Sequence, residues 1–265
     1  MRIALVGAGN LATNLGDALV AANHEVLQVY SRTWESAETL ASRLHCMAVT
    51  SVEELVLDAD LYIVALKDSV LEEILPRLVQ GREQALWVHT AGSVSMSIWE
   101  NRGVKHYGVF YPLQTFSKSR NVDFSKIPIF LEANLPSDLY RLKGLAASIT
   151  DKICEADSKQ RASLHLAAVF ACNFTNAMYV ISEQLLKEQG LSFDALLPLV
   201  NETAAKVHAL SPLEAQTGPA IRYDLGVINK HLAMLESHAL YRDVYEQLSR
   251  CIHYEQTNIK KDDKL

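Results

Sequence analysis

An α/β fold, in which a doubly wound sheet precedes an all-α C-terminal domain, is predicted by three features of this 265-residue sequence. A glycine turn, Gly7-Ala8-Gly9-Asn10-Leu11-Ala12, follows the apolar run Ile3 to Val6 and opens a helical pattern from Asn10 to Ala22. Short β-like runs then alternate with amphipathic stretches, the pattern of a parallel sheet with helices on both faces. From Asp157 onward the β-branched runs vanish and a 3.6-residue period persists. We therefore read residues 1–155 as a Rossmann-type nucleotide-binding domain, and residues 156–260 as an all-helical domain for substrate and dimer contacts.

The elements follow in order. Glu25 to Tyr30 reads as the second strand, and Trp34 to His45 as a helix capped by Ser31 or Thr33. Met47 to Val49 is a third strand, with a short helix expected over Val52 to Leu57. Leu61 to Leu66 is a fourth, apolar throughout, followed by a helix from Ser69 to Val79. Ala85 to His89 is the fifth strand, and Lys105 to Phe110 and Ile127 to Glu132 are further strands. A helix over Ser137 to Ser148 and a short strand at Lys152 to Cys154 close this half. Asp157 with Gln160 forms a capping box, and the helix it opens is expected to run to Gly190, a natural stop. Helices follow over Phe193 to Ala209 and, interrupted, from about Ala220 to Asn258. The tail from Asn258 to Leu265 reads as a frayed terminus.

The glycine turn has a chemical reading. Gly7 permits the tight turn, Gly9 admits a pyrophosphate to the backbone, and the small Ala12 lets the helix pack on the strand. The N–H groups at the start of the helix, from Asn10 and Leu11 on, then face the phosphates. An NAD-type unit would place an acid near the end of strand two; this chain has Ser31-Arg32-Thr33. A guanidinium and two hydroxyls suit a 2′-phosphate, so NADP(H) is the cofactor expected.

Composition narrows the rest. With 49% hydrophobic and 21% charged residues the chain has a sizeable core. A net charge of −6 without a basic stripe argues against nucleic acid as a partner. Cys46, Cys154, Cys172 and Cys251 are scattered singly, with neither metal-ligand nor disulfide spacing. The apolar run Leu166 to Cys172 is too short to span a bilayer. No targeting signal is read at the N-terminus. These features give a cytoplasmic, non-membrane expectation with no metal.

Three further segments carry a resemblance: His89-Thr90-Ala91-Gly92-Ser93, Tyr111-Pro112-Leu113-Gln114-Thr115-Phe116, and Thr217-Gly218-Pro219-Ala220-Ile221-Arg222-Tyr223-Asp224, with His231-Leu232 beyond. Together with the glycine turn they resemble the superfamily of pyrroline-5-carboxylate reductases and 3-hydroxyacid or 6-phosphogluconate dehydrogenases. Closer still, they resemble Rossmann-like reductases whose helical C-terminal domain has no known function. The resemblance implies an NADP-dependent oxidoreductase, dimeric through its helical domain. One departure stands out. The 3-hydroxyacid dehydrogenases carry Lys-x-x-x-Asn on the long helix, whereas the residues four before Asn173 and Asn176 are Val169 and Cys172.

Candidate site residues follow. On the long helix His165, Asn173 and Asn176 stand at offsets of 8 and 11, which a regular helix brings to one face. His165 is the candidate proton donor, Asn173 a polar catalytic partner, and Asn176 a substrate contact. Thr90, Gly92 and Ser93 follow strand five at its carboxyl end, where open α/β sheets bind ligands. Thr90 and Gly92, with Leu66 after strand four, would line the nicotinamide, and Ser93 would polarise a carbonyl or imine. Gln114 offers a substrate contact. Arg222 would clamp a substrate carboxylate, or else pair with Asp224. The reading is hydride transfer between NADPH and a small carbonyl or imine, with a non-catalytic NADP-binding sensor as the alternative. A methyltransferase reading is disfavoured by Ser31-Arg32-Thr33, where an acid would be wanted.

Overall fold

The computed structural model describes the backbone of residues 1–262. It divides into two compact units, Met1 to Asn173 and the residues from Phe174 onward. The first is built on one eight-stranded sheet, β1 (Arg2–Val6), β2 (Glu25–Tyr30), β3 (Met47–Val49), β4 (Leu61–Val64), β5 (Leu86–His89), β6 (His106–Pro112), β7 (Ile129–Ala133) and β8 (Ile153–Glu155). Strand order is β3-β2-β1-β4-β5-β6-β7-β8. The order reverses between β1 and β4, which makes a crevice at their carboxyl ends. The expected all-parallel sheet needs one correction, because β7 runs antiparallel to β6, with Phe110 opposite Leu131. Residues 113–128, which hold only a 3₁₀ turn at Phe124–Lys126, separate these two strands. They form no crossover helix, the usual connection of a parallel pair.

Both faces of the sheet are covered. Ile3 and Leu5 point into one core layer with Leu15, Leu40 and Leu142, from α1 (Asn10–Ala21), α2 (Trp34–Leu44) and α4 (Pro136–Ala147). Ala4 and Val6 point into the other with Tyr62, Leu71, Trp87 and Trp99, where α3 (Asp68–Val79) packs. Strand alternation thus buries consecutive residues on opposite sides, and this is why the strands read as unbroken apolar runs.

The helix expected over Val52 to Leu57 is absent; that stretch forms turns. Its carbonyls are used elsewhere. The buried Arg82 guanidinium donates to Val52, Leu55 and Val56 oxygens, and Gln28 donates to Glu54. Six residues are too few to hold a helix against such competitors. Thr33 does occupy the N-cap of α2, but its hydroxyl donates to Ser36 Oγ instead of accepting from the helix.

The long helix begins as the capping box requires. Asp157 accepts from Gln160 N–H at 2.8 Å, and the Gln160 amide oxygen accepts from Asp157 N–H at 2.9 Å. It comprises α5 (Ser158–Ala168), a π-helical stretch Val169–Phe174 and α6 (Thr175–Glu188), and ends before Gly190 at φ +69°. Although the composition changes near residue 155, α5 belongs with the sheet. Arg161 is sealed against it by Glu132, the Val94 carbonyl and Ser158. By length and composition the 31-residue helix, with a window of mean hydropathy 1.4, is apolar enough to cross a membrane. The short run counted in the sequence missed this, because Asn and His residues interrupt it without adding charge.

The second unit continues with a 3₁₀ turn at Phe193–Leu196, α7 (Leu197–Lys206), α8 (Pro212–Ala215), α9 (Leu225–Met234) and α10 (Ala239–Asp262). The tail expected to fray from Asn258 is helical to Asp262. Its last residues, 263–265, lie outside the described part.

Candidate active site at the carboxyl edge of the sheet

Strands β1, β2, β4, β5 and β6 run parallel, so the loops after Val6, Tyr30, Val64, His89 and Pro112 share one edge. The glycine turn occupies this edge next to the switch point. Gly7 has φ +126°, and its N–H donates to Tyr30 O at 2.8 Å. A Cβ there would lie 2.3 Å from the Ala65 carbonyl oxygen. Glycine is therefore demanded by the neighbouring strand as well as by the turn. Gly9, the N-cap of α1, faces open space, with nothing within 4 Å of where its Cβ would be. Asn10 beside it is exposed, Leu11 is half-buried, and Ala12 is fully buried against the core as helix packing requires. Leu66 lines the turn, its methyl 3.4 Å from the Gly7 Cβ position.

At the end of β2, Ser31 N–H donates to Val49 O at 3.1 Å, which leaves its side chain half-buried. Arg32 and Thr33 are exposed, and Arg32 makes no ion pair among the described residues. An open backbone cradle on β1 and a free guanidinium on β2 fit the pyrophosphate and 2′-phosphate of a dinucleotide.

Beyond β5 the structure corrects two roles. Thr90 is buried, and its hydroxyl turns back to Val64 O at 3.5 Å, so it is not presented to a ligand. The Ser93 hydroxyl donates to the Asp68 carboxylate at the start of α3. It therefore has no proton left to polarise a carbonyl. Gly92 is small for a reason the sequence did not reveal. A Cβ there would lie 2.6 Å from His165 Nδ1 and 2.8 Å from Tyr111 Cζ.

His165 thus arrives at this edge, where its Nδ1 lies 3.0 Å from the Tyr111 hydroxyl with the rings edge-on. Tyr111 is buried at the end of β6, and burial pushes its phenol pKa up, with the Asp68 charge adding to the rise and Arg161 opposing it. Arg161, one turn before His165 on α5, is 1% exposed and fixes the helix against β7 through Glu132. The neighbouring His89 is also fully buried. Its Nδ1 accepts from Ala91 N–H at 3.2 Å, and burial, with the Arg161 charge, pushes its pKa down to about 3.

Regular helical counting does not carry the expected His165/Asn173/Asn176 face along this helix. The π-helical stretch takes up extra residues between His165 and the asparagines, so regular 3.6-residue counting fails across it. Asn173 and Asn176 are exposed, and as solvated amides they need no ligand to satisfy them. Gln114 is exposed, and its Oε1 accepts from Thr115 N–H at 2.8 Å. Arg222 is exposed on the turn before α9; Asp224, its alternative partner, instead caps α9 by accepting from Val227 N–H at 3.2 Å. His231 bonds Tyr245 at 2.8 Å within the second unit. Sequence reasoning missed Asp68, Glu132 and Arg161, and took Tyr111 only as part of a motif. No spacing signal marks partners that meet through a sheet.

Residues 2–91 match the family described as NADP oxidoreductase, coenzyme F420-dependent, and residues 127–252 match a domain of unknown function, DUF2520. The chain is similar to the crystal structure of a candidate NADP oxidoreductase from Bacteroides fragilis, at 54% identity and TM-score 0.92, over 96% of this chain and 98% of that one. A protein from Thermotoga maritima shares the fold at 22% identity and TM-score 0.75, over 95% of this chain and 99% of that one. An imine reductase from Myxococcus stipitatus in complex with NADP+ shares it at 14% and 0.69, over 96% and 93%. No curated protein matches the sequence. By the first of these similarities, with the two domains in this order, the chain belongs to the family of NADP oxidoreductases that join an F420-dependent-type oxidoreductase domain to a C-terminal domain of unknown function.

Proposed function

We propose that this chain reduces a small imine or carbonyl compound bearing a carboxylate. The observation that supports this best is the sharing of one sheet edge by the glycine cradle and the Tyr111–His165 pair. Gly7, Gly9, Asn10, Leu11 and Ala12 would hold the pyrophosphate of NADP(H), and Ser31, Arg32 and Thr33 its 2′-phosphate. Leu66 and Gly92 would wall the nicotinamide, which when bound supplies the hydride to the substrate carbon. His165 would give its proton to the nitrogen or oxygen of the reduced bond, and that proton is replaced in the end from water. Asn173, Asn176 and Gln114 are offered as substrate contacts, and Arg222 as the carboxylate clamp. All four are exposed and polar.

A homodimer is part of the proposal. Leu166, Phe170, Val180 and Leu199 are 60%, 62%, 48% and 62% exposed, large apolar side chains of the kind that mark interaction surfaces when grouped. The same surface accounts for the apolar long helix without a bilayer, since its two asparagines would be costly in lipid. The four unpaired cysteines fit a reducing compartment, and we place the protein in the cytoplasm.

The test starts with binding. NADPH should bind more tightly than NADH, and Arg32→Ala should lower NADPH affinity by about tenfold or more while sparing NADH. Turnover is then screened on imino and keto acids, with a deazaflavin coenzyme as an alternative hydride carrier. Equal affinity for the two nucleotides removes the cofactor assignment. Binding with no turnover of any substrate leaves a sensor.

A further inference from the structure

We propose that Tyr111 is a positioning residue, which donates its phenol O–H to His165 Nδ1 and so holds the imidazole proton on Nε2. As Nε2 gives that proton to the anionic nitrogen or oxygen left by hydride addition, the phenol proton passes to Nδ1 and the phenolate is reprotonated from water. This deepens the reductase reading and rests on it for the identity of the proton acceptor.

The argument begins with donors and acceptors. The hydroxyl of Tyr111 and Nδ1 of His165 lie 3.0 Å apart, and either could donate. Tyr111 is 7% exposed, and its hydroxyl has no other hydrogen-bond partner among the described residues. If Nδ1 carried the proton and donated, the phenol O–H would be left buried without an acceptor. A buried unpaired donor costs about 1–3 kcal/mol. If the phenol donates instead, the imidazole proton sits on Nε2. That atom bonds nothing among the described residues, yet it is not one of the sealed, unpartnered polar atoms, which are His89 Nε2 and Arg161 Nε. Nε2 therefore opens to solvent at the sheet edge. Only this arrangement leaves no polar group stranded.

Burial keeps the phenol protonated by raising its pKa, so the donor persists at neutral pH. The ring is held from three sides. Gly92 leaves no room for a side chain between the loop and the pair. The Tyr111 ring meets the imidazole edge-on at 6.2 Å between centroids. Arg161, four residues earlier on α5, locks the rotation of the helix through Glu132 and the Val94 carbonyl. The three segments that meet here are the loop after β5, the end of β6 and the long helix, none of which belongs to the glycine turn. The geometry resembles a general acid whose second nitrogen is held by a fixed partner, which selects the tautomer and the aim of the ring.

The experiment compares the wild-type protein with Tyr111→Phe, using ¹⁵N-labelled histidine and His165→Gln to assign the resonance. In the wild type the neutral His165 ring should be entirely the Nε2–H form, with an Nδ1 shift displaced by an accepted hydrogen bond. In Tyr111→Phe that displacement should vanish and the Nδ1–H form should appear. On a substrate found by the screen, kcat should fall by about tenfold to a hundredfold, with the KM for NADPH unchanged. Gly92→Ala, which pushes the imidazole from its partner, should give the same ring signature. An Nδ1–H wild type overturns the proposal, as does a Tyr111→Phe protein whose ring signature is unaltered. A changed ring with normal kcat overturns it too. If no substrate is turned over by the wild type, the reductase reading fails, while the ring signature still decides whether Tyr111 positions His165.

Discussion

His89 should make the protein acid-labile in a way that one substitution can isolate. The imidazole is fully buried beside Trp99, at 6.3 Å between ring centroids, and its pKa is pushed from 6.5 to about 3. In the unfolded chain it titrates near 6.5, so below that pH the unfolded state binds a proton that the folded state refuses. Stability is therefore fully present above pH 6.5 and drains away as the pH falls towards 3. The whole window is worth about 5 kcal/mol, and by pH 5 the loss is already about 2 kcal/mol, at ~1.4 kcal/mol per unit. His24, whose pKa burial also lowers, adds a loss of the same sign, so the wild-type curve alone does not isolate His89. In His89→Asn the amide oxygen can still accept from Ala91 N–H, while the titrating group is gone. Urea unfolding of both proteins at one concentration, from pH 8 to pH 5, gives the comparison. The variant should be less stable at pH 8, because the ring leaves a void, but its curve should be flatter by about 2 kcal/mol at pH 5. Parallel curves would refute the reasoning, since they would mean that the folded state protonates His89 as readily as the unfolded one.

Other perturbations have equally direct readouts. Gly7→Ala forces a side chain to φ +126° and drives its Cβ into the Ala65 carbonyl; thermal melting should show a loss of about 1–3 kcal/mol, and titration a parallel loss of NADPH binding. Glu132→Gln or Arg161→Met alone should cost about 3–5 kcal/mol in urea unfolding, because each strands a buried partner. The double variant Arg161→Met with Glu132→Gln should cost less than the sum of the two, and strict additivity would count against a coupled pair. Sedimentation should find a dimer of the 29.5 kDa chain at micromolar concentration, and Leu166→Glu with Phe170→Glu should dissociate it; a wild-type monomer would remove the dimer proposal.

The sequence alone determined what depends on local geometry. The glycine turn, the strands β1 to β5, the Asp157–Gln160 box and the stop at Gly190 are short-range patterns, each with its own steric or hydrogen-bonding cause, and the structure has them where the pattern put them. The Ser31-Arg32-Thr33 triplet was equally legible, because the end of β2 lies one βα unit from the cradle. Tertiary structure decided what depends on distant partners. The direction of β7 followed from a connection that forms no crossover helix, and the missing helix at residues 52–57 from an arginine 26 to 30 residues away from its acceptors. The site itself divided in the same way. His165 was visible as a lone imidazole on an apolar helix, yet the 3.6-residue count that joined it to Asn173 and Asn176 meets a π-helical stretch with no signature in the residues. Its partner Tyr111 lies 54 positions earlier, and the space they share exists because Gly92 lacks a Cβ. Such contacts are fixed only when sheet and helix close on each other, since no periodicity encodes a distance across a sheet edge.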